Sequence, residues 1–437
     1  MELDYIRSIQ ADVVVAGCGS AGFGAAVAAG RKGLKVVLLE KNNKIGGVLS
    51  LCPMMPFTGA YLKTNNQPIG GIISELSDRL FRMDPPAARV RESQYNTFGD
   101  ELQYDHEKLM IAMYEMLEEA NVEVLLNTTA FHVEMNHNHV ESLLALQDEE
   151  IIRLLADVFI DCTGNGFVAW KAGVPFKQGD ENGNVLGATL SFAMFDLTPE
   201  AFQTGGDLYR KAIVNKGIEE GKLDSEFIGA YIIQGVRDDI GIFNTVMKIG
   251  IDGTKSDQVL KASASARKMA HQMADYFIKH VSGFENGRLV YVGPLIGIRE
   301  TRRFECLYEI TIGDIMSQKH FPDGTVACNH PINELYKSME TGLIQLETDG
   351  GVGAYYTIPF RCFVPKKIEN LLIAGRQICC DSTALASIRA MSICMLMGQA
   401  CGSAAKIVHD KKIPVQQVDA SELIPDLIRQ GVRHLEN

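Results

Sequence analysis

The first residues whose spacing can do chemistry are three glycines in Gly17-Cys18-Gly19-Ser20-Ala21-Gly22. They follow an apolar run, Ala11 to Ala16, and open an Ala-rich stretch reaching Lys32. Gly17 permits a tight turn, Gly19 lets backbone approach a pyrophosphate, and Gly22 allows close helix–strand packing. A helix beginning at Ser20 and Ala21 points its free N–H groups and partial positive charge at that diphosphate. Eighteen residues past Gly22, after a second apolar run from Lys35 to Leu39, stands Glu40. A carboxylate there accepts hydrogen bonds from ribose hydroxyls and repels a 2′-phosphate, so FAD or NAD is favoured over NADP. The strand–turn–helix–strand context distinguishes this from a merely structural Gly-rich turn.

Lys41-Asn42-Asn43-Lys44-Ile45-Gly46-Gly47 adds a second glycine pair. Here the sequence resembles the FAD-dependent oxidoreductases of the glutathione-reductase-like (two-dinucleotide-binding-domain) superfamily, in which this segment runs along the FAD diphosphate. Ile160-Asp161-Cys162-Thr163-Gly164-Asn165-Gly166 is similar to the strand ending in Thr-Gly that returns beside the nucleotide. Asn370-Leu371-Leu372-Ile373-Ala374-Gly375-Arg376 is similar to the segment that closes over the ribityl chain and flavin ring. The resemblance covers most of the chain outside about 176–285. It implies non-covalent FAD held by Gly17, Gly19, Ser20, Ala21, Gly22, Glu40, Lys41, Gly46, Gly47, Cys162, Thr163, Gly164, Gly375 and Arg376. Within the superfamily the chain most resembles a broad family of bacterial FAD-dependent oxidoreductases. The marks are Ile298-Arg299-Glu300-Thr301-Arg302-Arg303, Ile358-Pro359-Phe360-Arg361 and the Gly375-Arg376 pair. Members commonly carry a His shortly after that pair. This chain reads Cys379-Cys380-Asp381-Ser382-Thr383 there, so no role of that His is carried over.

Arginine forks bind carboxylates bidentately, so Arg299 or Arg302 is suited to orienting an acidic substrate. The competing reading is a structural ion-pair network around Glu300, and Arg361 has the same two readings. Asp381, Ser382 and Thr383 are good N-cap residues for a long helix from about Ala384 to Val408. Cys52 has no companion within Leu51 to Gly59, and Cys379-Cys380 is a vicinal pair, so both read better as buried apolar residues than as redox centres. Cys328 and His330 are two metal ligands without others. The residues name no general base and no metal site.

The elements that must position these residues are set by length and pattern. At roughly 150 residues per domain, 437 residues make two to three domains. Strands at both ends, helices at Ala21 to Lys32 and His106 to Ala120, and a different middle predict an α/β, Rossmann-like FAD-binding domain with an inserted mixed α+β substrate or cap domain. The expected boundaries are 1–175 and 336–437 for the FAD-binding parts and 176–335 for the cap. Net charge −12 argues against a phosphate-backbone binder, including a flavin-dependent RNA-modifying enzyme. No stretch approaches the ~20 uninterrupted apolar residues of a membrane span. The start lacks the pattern of a signal peptide, and the sparse cysteines fit a reducing compartment, so a cytoplasmic location is expected. Only one GxGxxG is present, so a dedicated NAD(P)H domain is not expected. The expected activity is hydride transfer between a small organic substrate and the flavin, with a separate electron donor or acceptor and oligomeric state left open. The alternatives are a flavin monooxygenase and a non-catalytic FAD-fold binding protein.

Overall fold

Every residue of Val13–Ala16, Val36–Leu39 and Val158–Asp161 is buried. Strands covered on both faces read as continuous apolar runs, and a sheet built from them is parallel. The computed structural model, which describes residues 7–52, 55–62, 67–92, 100–203, 206–227, 232–333, 343–344 and 355–435, has such a sheet. Its order is Leu371–Ile373, Val158–Asp161, Val13–Ala16, Val36–Leu39 and Glu123–Leu125, all parallel. The strand from the far end of the chain thus lies next to Val158–Asp161, two places from the Gly-rich turn.

Small residues let two helices touch on one side of this sheet. Ser20–Arg31 carries five alanines and three glycines and is buried from Ser20 to Gly30. Met391–Lys411 crosses it so closely that a Cβ on Gly24 would stand 2.1 Å from the Met395 carbonyl oxygen. Met391–Lys411 is long and apolar enough to cross a membrane, but 83% of its most apolar window is buried inside the protein, as in a core helix. The single long helix expected from Ala384 to Val408 is two helices, Ser382–Ile388 and Met391–Lys411, separated by Arg389 and Ala390. Each packs on its own partner: the first on Ile332–Asn333, the second on Ser20–Arg31. Asp381 caps the first by accepting from the Ala384 N–H at 2.6 Å.

A second sheet runs Arg7–Gln10, Glu150–Leu155, His139–Gln147 and Thr128–Asn136. The third, antiparallel, runs Ile232–Gln234, Gly241–Lys248, Ala188–Phe195 and Arg288–Val292. Along Ala188–Phe195 the residues alternate. Ala188, Leu190, Phe192 and Met194 join a core with Met269, Met273 and Phe277 of the helix Ser256–His280, whereas Thr189 and Ser191 face away from it. A register shift between Leu190 and Phe192 re-aims the facing strand, so Val246 enters that core and Met247 turns to the other side. This separate core ends with Ile298, while Ile310, Ile315, Val326 and Cys328 pack with the helices of the parallel sheet. The packing therefore changes near 299, earlier than the expected boundary at 335.

Candidate active site

One cavity of about 910 Å³ lies between the carboxyl ends of the parallel strands and the helix-free face of the third sheet. That is within the usual ~300–1,000 Å³ of cofactor and ligand sites, and at the crevice where open parallel sheets bind them. Ala16, Leu39, Cys162 and Ala374, each at or just after a strand end, form its floor.

The Gly-rich turn divides its labour. At Gly17, φ is +94° and a Cβ would meet the Cys162 carbonyl oxygen at 2.6 Å. A Cβ on Gly22 would meet the Gly17 oxygen at 1.7 Å, whereas one on Gly19 would meet nothing within 4 Å. Gly22 therefore packs inward, and Gly19 borders open space in the cavity wall. The helix starting after Gly19 has no side-chain cap and no acid in its first turn, so the N–H groups of Ser20 and Ala21 are left to a ligand. Gly46 ties down the neighbouring loop by donating to Cys18 O at 2.7 Å and does not line the cavity; Gly47 does.

Glu40 is buried at the cavity wall. Its Oε2 accepts from Cys18 N at 2.9 Å, and its Oε1 accepts from Asn42 N at 3.0 Å and Asn42 Nδ2 at 2.6 Å. Lys41 stands exposed at the rim. Across the floor, buried Asp161 organises the next loop, accepting from the Thr163 N–H, the Thr163 hydroxyl and the Ala169 N–H at 2.7–3.0 Å. Cys162, Thr163 and Gly164 then line the cavity beside Gly375 and Arg376. Arg376 staples this loop from the other side. It donates to Gly164 O and to Asn165 Oδ1, both at 2.8 Å, and to Ile298 O. Burial pulls its guanidinium down to about 10.

The opposite wall is polar. Thr189, Ser191 and Asn244 project from the third sheet, and Arg299 donates to Gly187 O at 2.9 Å beside Met247. Arg302 donates to Asn165 O at 2.9 Å, and its guanidinium lies 4.5 Å from the Trp170 ring centroid and 5.3 Å from that of Phe176. Glu300 turns away, accepting from Gly179 N and Leu186 N and pairing with Arg303 at 3.3 Å. The ion-pair reading thus describes Glu300 and Arg303. Arg361 forms a two-point pair with Asp323 outside the cavity.

The family model described as FAD dependent oxidoreductase matches residues 12–427. The chain belongs to the FAD-dependent oxidoreductase family. No curated protein matches the sequence significantly. Among solved structures, the myxobacterial chondrochloren halogenase CndH, described as a variant of FAD-dependent halogenases, is similar at 10% identity and a TM-score of 0.50, over 96% of this chain and 79% of that one. The flavin-dependent brominase Bmp2 is similar at 12% identity and a TM-score of 0.50, over 96% of this chain and 83% of that one. Both likenesses describe the shared fold.

FAD is bound non-covalently in this family, and the residues present fit it. Uncapped N–H groups at Ser20 and Ala21 suit a diphosphate, the open side of Gly19 leaves room for it, and Glu40 stands where a ribose carboxylate is needed. Of the residues expected from the sequence, Gly22 and Gly46 shape the loops without reaching the cavity, and the others line it.

Two further cavity residues are not among the site residues expected from the sequence, which offers His330 only as a metal ligand beside Cys328. His330, which follows the strand Gly324–Cys328, donates from Nδ1 to Pro331 O at 2.8 Å, which leaves Nε2 as the acceptor nitrogen of the ring. Burial, with Arg389 adding to it, holds this imidazole at about 4, so it is neutral at pH 7. Arg389 sits at the break between the two C-terminal helices, and its Nε is buried without a hydrogen-bond partner. Neither has a motif around it. The available signal for Arg389 was a charged residue interrupting an otherwise apolar helical run.

Proposed function

We propose that this enzyme transfers a hydride between a small organic substrate and its flavin, passing the electrons to or from a separate partner. The observation that carries this reading is the continuity of the cavity. One end has the uncapped helix start and Glu40, and the other has Thr189, Ser191, Asn244 and Arg299 on a separately packed sheet. A substrate held by that sheet shares the space with the cofactor. Bound flavin supplies the redox chemistry, and the chain supplies orientation and electrostatics. Gly17, Gly19, Ser20, Ala21, Glu40, Gly47, Thr163, Gly164 and Gly375 would hold FAD, and Arg376 would fix the loop behind it.

The three loops at 17–22, 160–166 and 370–376 meeting at one floor support a place in the glutathione-reductase-like superfamily. Ten free, buried cysteines fit a reducing, cytoplasmic compartment. The test is an anaerobic screen of small polar metabolites against the yellow protein. Bleaching by one of them, without pyridine nucleotide, is the expected result. If NADH or NADPH bleaches the flavin rapidly and no metabolite does, the monooxygenase reading replaces this one.

A further inference from the structure

Four arginines line the cavity, at 299, 302, 376 and 389. Two are spent on the protein. Arg376 holds three acceptors in the loops around Gly164 and Ile298, and Arg302 holds Asn165 O and lies over Trp170. The other two are not. Arg299 uses one nitrogen on Gly187 O, and Arg389 makes no hydrogen bond among the described residues. Among the described residues, neither has a carboxylate within ion-pair distance. Glu300, next to Arg299 in the chain, is committed to Arg303 and two backbone N–H groups and reaches Arg389 only through space. The cavity carboxylate Glu40 is held by Cys18 N and Asn42 rather than by either arginine.

Two cations facing one cavity, with no counter-ion among the described residues, are costly. Burial, and then Arg389, hold Arg299 down to about 9, while His330 between the same walls is neutral at pH 7. The diphosphate of FAD is provided for elsewhere, at the uncapped helix start beside Gly19. Arg299 instead stands against Met247 of the antiparallel sheet. On that sheet the Ser191 hydroxyl lies 3.4 Å from Asn244 Oδ1, and the Asn244 amide nitrogen has no partner among the described residues. We propose that Arg299 and Arg389 form a carboxylate subsite, and that the substrate is a small organic acid. Its carboxylate lies between the two guanidiniums and its hydroxyl or carbonyl groups against Ser191 and Asn244. Guanidiniums suit this site because they keep their charge on burial and offer planar, two-point donors. The assignment rests on the oxidoreductase reading above.

The experiment uses FAD-loaded protein. Acetate, glycolate and succinate are titrated while the visible flavin spectrum and the heat of binding are followed, with acetamide and succinamide as uncharged controls. Saturable binding of the acids, at least tenfold tighter than the amides, is expected. Arg299→Gln and Arg389→Gln should each weaken the acids by tenfold or more while FAD affinity stays within twofold. Arg299→Lys and Arg389→Lys, which keep the charge, should fold as the parent does and lose less. Arg361→Gln, at a side chain that pairs with Asp323 outside the cavity, should leave acid binding unchanged. Equal binding of acids and amides, no saturable acid binding, or a parallel loss of FAD in both Lys variants overturns the proposal. A parent protein that takes up no FAD overturns the functional reading instead, and is seen before any acid is added.

Discussion

Gly398 rests on the backbone of Ala21: a Cβ at Gly398 would stand 1.8 Å from the Ala21 carbonyl oxygen and 2.9 Å from the Ala25 nitrogen. The helix that follows the Gly-rich turn is thereby pressed into place by residues nearly four hundred positions later. In an exposed helix interior, Gly to Ala is favourable by roughly 0.5–1 kcal/mol. At this contact overpacking costs about 1–3 kcal/mol and wins. Gly398→Ala should therefore lower stability in urea unfolding despite its better helix propensity. It should also weaken FAD binding, because the displaced helix carries Ser20 and Ala21.

Gly19 and Gly22 should separate binding from folding. Gly19→Val adds a side chain facing cavity space, so apoprotein stability should change by no more than about 1 kcal/mol, the cost of a poorer N-cap. FAD uptake should be lost. Gly22→Ala puts a Cβ onto the Gly17 oxygen and should destabilise the apoprotein itself. Thermal melts without cofactor, set beside FAD titrations, read the two effects; a Gly19→Val protein that binds FAD normally would place the diphosphate elsewhere.

Glu40→Ala should weaken FAD binding about ten- to a hundred-fold, the equivalent of ~1.5–3 kcal/mol for one charge-assisted hydrogen-bonding group. The variant also strips a partner from the N–H groups of Cys18 and Asn42, so a stability loss of roughly 1–3 kcal/mol should accompany it. An unchanged dissociation constant for FAD is the result that refutes the ribose assignment.

His330 gives the fold a pH dependence. Its folded-state value near 4 lies below the ordinary 6.5, so the unfolded chain binds the extra proton first. The stabilisation is complete above about pH 6.5 and is lost as pH falls through 6.5 toward 4. A shift of this size corresponds to about 3 kcal/mol. Denaturant unfolding of the parent should therefore lose more stability than His330→Gln over that interval, with the two curves parallel above pH 7.

NADH and NADPH should reduce the flavin slowly. Among the described residues, the Gly-rich turns at Gly47 and Gly166 also follow parallel strands but open only the short helices Val48–Leu51 and Phe167–Lys171, and the turn at Gly17, which opens Ser20–Arg31, is the one FAD would take. Anaerobic stopped-flow mixing checks this: fast, saturable bleaching at micromolar nucleotide is the contrary result.

The proposed nucleotide end of the site was legible in the sequence because its parts are local. Gly17, Gly19 and Gly22 mark one turn, and Glu40 follows at the end of the next strand. The buried strands around them are continuous apolar runs that admit few alternatives. The proposed substrate wall was not legible. Thr189 and Ser191 face the cavity through strand alternation, and Met247 through a register shift, neither of which has a composition signal. Arg299 and Arg302 look equivalent at a spacing of three. Only tertiary contacts separate them, giving Arg302 a stack on Trp170 and leaving Arg299 beside Met247. Arg389 and His330 lie in unrelated segments that meet only when the chain is folded.

The strand Leu371–Ile373 and the helix Met391–Lys411 come from the last seventy residues, yet one joins the parallel sheet beside Val158–Asp161 and the other clamps the helix that begins at Ser20. A ribosome that has already released the Gly-rich turn has made a cradle with one wall missing, and its helix is held by nothing on that side. The order of synthesis therefore runs against loading: cofactor capture belongs after the residues through Lys411 have emerged, and a shortened chain ending before residue 371 would stay colourless with every N-terminal glycine intact.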